Sequence, residues 1–254
     1  MEKSTTLIRF NEIYTIPEDS NLNDTEHTAR QFNTVTSGTT RYEVGIAKER
    51  RETGFTYGTT LVPKVCTVRK KMLVLDLDET LIHSSFEPSN NSFPMQLMQN
   101  GVERTIYIGK RPYLSEFLSV VSNFYEIVIF TAGLKSYADP VIDFIDPDGV
   151  CKRRLFRDSC KYWNGYYIKD LEILNKPLKD VVTIDNSPCC YCLNPENAIP
   201  IETWFNDEND SELCDLVPLL RRLAHTEDVT NIIPSLFNHE IFFTKVTISQ
   251  IKQL

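Results

Sequence analysis

The sequence lacks any apolar run of about 18 residues, the length a membrane-spanning helix needs. It also lacks the charged, apolar and small-residue succession of a secretory signal. A soluble nuclear or cytoplasmic protein is therefore expected, meeting membranes only through a partner. Basic residues are not in excess: 27 Lys+Arg stand against 35 Asp+Glu, a net charge of −8. That argues against a broad nucleic-acid surface, so no direct nucleic-acid partner is expected. The seven cysteines are odd in number and follow no framework spacing, which fits a reducing compartment. Cys189 and Cys192 make a C-x-x-C with Cys190 between them, but no second ligand pair stands at zinc spacing. They read as small buried cysteines before a redox switch. No internal repeat and no long low-complexity segment is present.

What is present is an ordinary globular composition, 41% hydrophobic and 24% charged over 254 residues. The charge is uneven. Residues 1–70 hold 10 Lys+Arg and 9 Asp+Glu, a net of +1, which leaves −9 for the remainder. The same stretch holds 14 threonines, few large aliphatics and no sustained period. Such composition buries too little to offset the entropy of ordering. Residues 1–69 are thus expected to be a poorly ordered Thr-rich extension, a possible partner-binding tail. Residues 70–236 are expected to form one domain, and 237–254, with Ile241-Phe242-Phe243, a tail of unassigned role.

The domain is organised around Met72-Leu73-Val74-Leu75-Asp76-Leu77-Asp78-Glu79-Thr80. A short continuous apolar run reads as a strand buried on both faces. Asp76 and Asp78 should therefore sit just past its C-terminal end, where open α/β sheets bind ligands. Alternation puts both carboxylates on one side and Leu77 on the other. Two carboxylates so close need a cation, a shared proton or a hydrogen-bond partner. The arrangement suits Mg²⁺ and phosphoryl chemistry.

Further strands are expected at 126–130, 181–184 and 198–201. Helices are expected at 112–121, 135–145 and 211–224, the last kinked at Pro218. Asn100-Gly101 between extended runs predicts a hairpin over Phe93–Ile108. Residues 155–168 read as a small antiparallel insert around Asn164-Gly165. Alternating buried strands and helices imply an α/β fold with a parallel sheet. Polar residues follow three strands: Asp76 and Asp78, then Thr131, then Asp185 and Asn186. Lys169 follows the insert. The C-terminal ends of parallel strands share one edge, so these groups can converge.

The motif Asp76-Leu-Asp-Glu-Thr-Leu-Ile-His-Ser-Ser-Phe86 resembles the haloacid dehalogenase-type phosphatases. Within them it is similar to the small phosphatases acting on the C-terminal domain of RNA polymerase II and to Dullard. Phe130-Thr-Ala, Ile168-Lys-Asp-Leu and Ile184-Asp-Asn-Ser-Pro188 match in turn, over about Lys71 to Leu236. The resemblance implies a Rossmann-like sheet with helices on both faces and a Mg²⁺-dependent protein serine/threonine phosphatase. In it Asp76 would be the nucleophile that becomes an aspartyl phosphate, and Asp78 the general acid and base. Mg²⁺ would take the Asp76 carboxylate, the Asp78 carbonyl and Asn186. Asp185 would hold Lys169 or a metal-bound water; Thr131 and Lys169 would stabilise phosphoryl oxygens. Arg157 is a candidate for the substrate phosphate or peptide, or else a structural ion-pair partner, and His83 reads as a structural histidine. Phe86, Leu97, Ile106, Leu134 and Tyr137 would form a pocket for a proline beside phosphoserine, with Gln99 departing from its apolar pattern. The alternatives are a small-molecule phosphatase of the same superfamily, or a non-catalytic binding module with this fold.

Overall fold

The computed structural model describes residues 34–37, 40–43, 64–67, 70–99, 101–237 and 245–254. The chain divides into two compact units, Met1–Val68 and Arg69–Leu254. In the first, β1 (Thr34–Ser37), β2 (Thr40–Glu43) and β3 (Lys64–Thr67) pair antiparallel in that order. The expectation of a poorly ordered extension otherwise falls outside the described residues, as does Ile241-Phe242-Phe243.

The second unit is built on a five-stranded sheet. Its strands are β4 (Lys71–Leu75), β8 (Tyr125–Phe130), β9 (Cys151–Leu155), β12 (Val181–Asp185) and β13 (Ala198–Pro200). All pair parallel, in the order β13-β12-β4-β8-β9. Strand β4 is central and wholly buried. Its alternate residues serve two cores: Leu73 and Leu75 one face, Met72 and Val74 the other.

The first face packs against α1 (Leu114–Val121), α2 (Lys135–Ile145) and α3 (Glu212–Ala224), with α4 (Ile233–Leu236) beside them. In α1, Leu114, Phe117, Leu118 and Val121 are buried, a helical stripe. The opposite face is closed more thinly, by Leu171 and Leu174 from one turn of 3₁₀ helix. Both faces are covered, unequally. A last helix, α5 (Lys245–Lys252), buries Ile251 against Ile168, Cys192 and Leu193.

Between β4 and α1 the chain forms a three-stranded antiparallel sheet of β5 (Ile82–Ser85), β6 (Ser92–Gln99) and β7 (Val102–Lys110), ordered β5-β7-β6. Gln99 faces Val102, so two residues make the turn, with Gly101 at φ 76°. Only glycine takes that backbone without cost. The insert is smaller than its sequence suggests. Just β10 (Lys161–Trp163) and β11 (Tyr166–Ile168) pair antiparallel. Leu155 belongs instead to β9, the edge of the main sheet. Lys152, Arg153 and Arg154 interrupt that strand's apolar pattern. Arg154 is held by Asp139 at 2.6 Å and Asp143 at 2.8 Å, both on α2.

One buried cation ties the domain together. Arg111 is 1% exposed. Its guanidinium donates to both oxygens of Asp210, at 2.8 and 2.7 Å, and to the carbonyls of Thr80 and Glu202, at 3.1 and 3.0 Å. It thereby fixes the turn after Asp78 to the loop ahead of α3. Arg111→Ala leaves Asp210 and two carbonyls without their donor, and is expected to cost about 3–5 kcal/mol of stability. Chemical denaturation checks this; a loss under about 1 kcal/mol would mean that solvent replaces the network.

Candidate active site

The C-terminal edge of the parallel sheet carries the polar residues. Beyond Leu75 the Asp76 N–H still bonds the Ile184 carbonyl, at 3.0 Å, so Asp76 is held as rigidly as a strand residue. Leu77 is fully buried in the core, which turns Asp76 and Asp78 to the other side. The chain then reverses sharply. Leu81 and Ile82 N–H both bond the Leu77 carbonyl, and Glu79 adopts φ 59° in the left-handed region. His83 Nδ1 lies 3.0 Å from Glu79 Oε1, and the imidazole packs edge-on to Phe205. It is a structural histidine of this turn.

Lys169 enters from the loop after β11. Its ammonium is buried between two carboxylates, 2.5 Å from Asp76 Oδ1 and 2.6 Å from Asp185 Oδ2. Burial alone would push Lys169 down, but Asp185 and Asp76 outweigh it and hold the group well above its ordinary range. Asp185 is raised to about 7 because burial exceeds the help from Lys169; its other oxygen accepts the Ser187 N–H at 2.8 Å. Two aspartates thus share a single ammonium.

Asp78 stands on the opposite flank. One oxygen accepts the Tyr137 hydroxyl in a short hydrogen bond, and the other lies 3.4 Å from Thr131 Oγ1. Burial raises Asp78 to about 6; the Tyr137 bond opposes this, and Asp76 and Glu79 add to it. Thr131 directly follows β8, and its N–H bonds the Leu155 carbonyl at 3.0 Å. The Gly133 N–H donates to Thr131 Oγ1 at 2.9 Å. A Cβ on Gly133 would stand 3.1 Å from that oxygen and 3.2 Å from the Tyr137 ring, so a larger residue would have to displace one of them slightly.

The donors fit a hard divalent cation. Asp76 supplies a carboxylate, and Asn186 an amide oxygen that accepts Thr80 Oγ1 at 3.3 Å while its nitrogen donates to Thr203 at 3.1 Å. Three carboxylates against one ammonium leave negative charge for such an ion to balance. Among the described residues no group of three or more His, Cys, Asp or Glu could hold a metal. One carboxylate and one amide oxygen are hard donors of the kind such an ion takes; Cys189 and Cys192 are free and buried.

Arg157 does not find a carboxylate among the described residues. Its Nε donates to the Ala132 carbonyl at 2.7 Å and its guanidinium lies over Tyr167, 4.7 Å from the ring centroid. Phe86, Leu97, Ile106, Leu134 and Tyr137 do come together, around one pocket of about 130 Å³. Ser84, Ser85, Met98, Arg104 and Ser136 complete its lining. The Gln99 side chain is outside the described residues. Tyr137 therefore has two faces, one wall of the pocket and the hydroxyl on Asp78. The family resemblance implied only the first, and nothing in a helical spacing aims a hydroxyl at a carboxylate 59 residues earlier.

A family model for NLI interacting factor-like phosphatases matches residues 71–230. The chain belongs to this family. The probable C-terminal domain small phosphatase of Dictyostelium discoideum is 49% identical over 164 residues, 64% of this chain and 54% of that protein. The CTD small phosphatase-like protein of Homo sapiens is 45% identical over 181 residues, covering 70% and 66%. The match thus spans about half to two thirds of these relatives' lengths. Among solved structures, a fission yeast RNA polymerase II CTD phosphatase Fcp1 variant bound to beryllium fluoride is similar at 24% identity. It covers 72% of this chain and 62% of that one, with a TM-score of 0.47. No helix among the described residues is long and apolar enough to cross a membrane.

Proposed function

We propose that the protein is a Mg²⁺-dependent protein serine/threonine phosphatase that works through an aspartyl phosphate on Asp76. The observation that carries this reading is the placement of Asp76 against Lys169, 2.5 Å away, with Asp78 hydrogen-bonded on the other flank. Lys169 draws the Asp76 carboxylate into one orientation and brings positive charge to where phosphoryl oxygens gather. Asp76 attacks phosphorus while Asp78, protonated, gives its proton to the departing serine oxygen. The ionised Asp78 then takes a proton from the water that hydrolyses the acyl phosphate. Thr131 Oγ1 and Lys169 hold the transferring group, and Asp185 keeps Lys169 in place from a fully buried position. Asp76, the Asp78 carbonyl and Asn186 would hold Mg²⁺, which would supply charge neutralisation for the phosphate.

Phosphoserine in a protein segment is the favoured substrate class, with nuclear or cytoplasmic action; the relatives are named as small phosphatases of a C-terminal domain, in one case that of RNA polymerase II. The open apolar pocket beside Asp78 supports a peptide over a small metabolite. The test is turnover of a phosphopeptide panel and of sugar phosphates, with and without Mg²⁺. Faster turnover of sugar phosphates would overturn the peptide reading. No Mg²⁺-dependent turnover of any phosphomonoester would leave a binding module.

The pocket makes a further expectation. Phosphoserine peptides carrying proline at the flanking position should exceed their alanine counterparts in kcat/KM by roughly tenfold at most, equivalent to about 1.4 kcal/mol. Phe86→Ala should shrink the preference. Equal values for both peptides in wild type, unmoved by Phe86→Ala, would mean that the pocket does not receive substrate.

A further inference from the structure

The pocket beside Asp78 is lined mainly by apolar side chains, with Ser84, Ser85, Ser136 and a single charged residue, Arg104, among them. Strand register puts Leu97 opposite Arg104 and Met95 opposite Ile106. Alternation then sends Arg104 and Ile106 to the pocket side of β7, and Glu103 and Thr105 to the other. The Thr105 hydroxyl indeed bonds Gln96, not Leu97, at 3.1 Å. Arg104 is exposed at the rim, with Phe86, Leu97 and Leu134 lining the same pocket.

Arg104 is idle, as is the exposed Arg222, while the other arginines around the site are engaged. Arg111 and Arg154 are paired with carboxylates, and Arg153 and Arg157 donate to carbonyls. Among the described residues Arg104 has no ion pair or hydrogen bond. It lies in a domain whose net charge is −9 outside residues 1–70. Such a domain repels an acidic peptide in general and can attract one only at a local cation. Tyr137 connects the two places, being both a pocket wall and the hydroxyl on Asp78. A peptide with its phosphoserine at Asp76 and a neighbouring residue in the pocket therefore passes the guanidinium.

We propose that Arg104 is an anion subsite at the pocket rim, which selects substrates carrying a second negative group, a carboxylate or phosphate, near the residue that fills the pocket. The inference rests on the phosphopeptide reading above. A guanidinium fork matches both anions bidentately. The rim is solvent-exposed, so the gain is modest: about threefold for a carboxylate and up to about tenfold for a dianionic phosphate.

The experiment compares kcat/KM for singly phosphorylated serine peptides with Asn, Asp or a non-hydrolysable phosphonate analogue of phosphoserine, scanned through the flanking positions. Enzymes are wild type, Arg104→Gln and Arg104→Lys. One position should favour Asp over Asn about threefold and the phosphonate more strongly, the advantage shrinking as salt rises from about 0.05 to about 0.3 M. Arg104→Gln should erase the advantage, so that Asp and Asn peptides give the same kcat/KM, while Arg104→Lys restores part of it. A gain with the phosphonate alone assigns the site to phosphate; a gain with both assigns it to anions at large. Turnover without acid discrimination at any position, or discrimination that survives Arg104→Gln, overturns the subsite alone. Failure to turn over any phosphopeptide overturns the reading beneath it and the subsite with it.

Discussion

Asp76→Asn is expected to lower turnover of a phosphoserine peptide by a factor on the order of 10⁴ or more, as loss of a covalent nucleophile does. Asparagine has the shape of aspartate but its amide does not attack phosphorus. The substitution also removes one of the two carboxylates on Lys169, which keeps Asp185 at 2.6 Å and so stays in place. Because Asp76 adds negative charge next to both Asp78 and Asp185, neutralising it relieves like-charge crowding. Thermal stability should be unchanged or higher, which separates lost chemistry from lost folding. The check is rapid acid quench with radiolabelled peptide. Wild type should yield a phosphoprotein released by hydroxylamine, the behaviour of an acyl phosphate, and Asp76→Asn none. Activity within about tenfold of wild type would exclude covalent catalysis by this residue.

How much of this was legible beforehand follows from how local each signal is. Strand β4 and its two aspartates were readable because a buried strand and an alternating turn depend on consecutive residues. The hairpin at Gly101 and the stripe of α1 are local in the same way. Convergence of Asp76, Thr131 and Asp185 followed from parallel topology, which fixes the edge where strands end, whereas Lys169 reaches that edge from the antiparallel pair. Strand β9 was not legible, because three successive cations break its pattern and only pairing beside β8 and the acidic face of α2 accounts for them. The antiparallel insert is consequently smaller than residues 155–168 suggest, being only β10 and β11. Tyr137 on Asp78 and Arg111 on Asp210 join residues 59 and 99 positions apart, and no spacing rule spans such distances. Arg104 illustrates the remaining difficulty. Its place at the pocket follows from the Leu97 register, whereas its lack of a partner is visible only in three dimensions.

Asp78→Asn should cost about 10²–10⁴-fold in turnover of a phosphoserine peptide, the range for a lost general acid. The environment suits the role. Burial, with Asp76 and Glu79 nearby, raises Asp78 to about 6 even though Tyr137 donates to it, so both protonation states are accessible near neutrality. The first half-reaction needs the protonated form. Where that half limits the rate, kcat/KM falls as pH rises through about 6, and Asp78→Asn should lose that limb. A substrate whose leaving group needs no proton separates the two duties. With p-nitrophenyl phosphate, Asp78→Asn should release one equivalent of nitrophenol in a burst and then stall, because asparagine cannot accept a proton from the hydrolytic water. With the serine peptide it should show no burst, since the first step already fails. Mg²⁺ affinity should be unchanged, the expected ligand being the Asp78 carbonyl. A variant equally slow in both half-reactions with both substrates would locate the acid and base elsewhere, leaving Asp78 as an anchor for Tyr137.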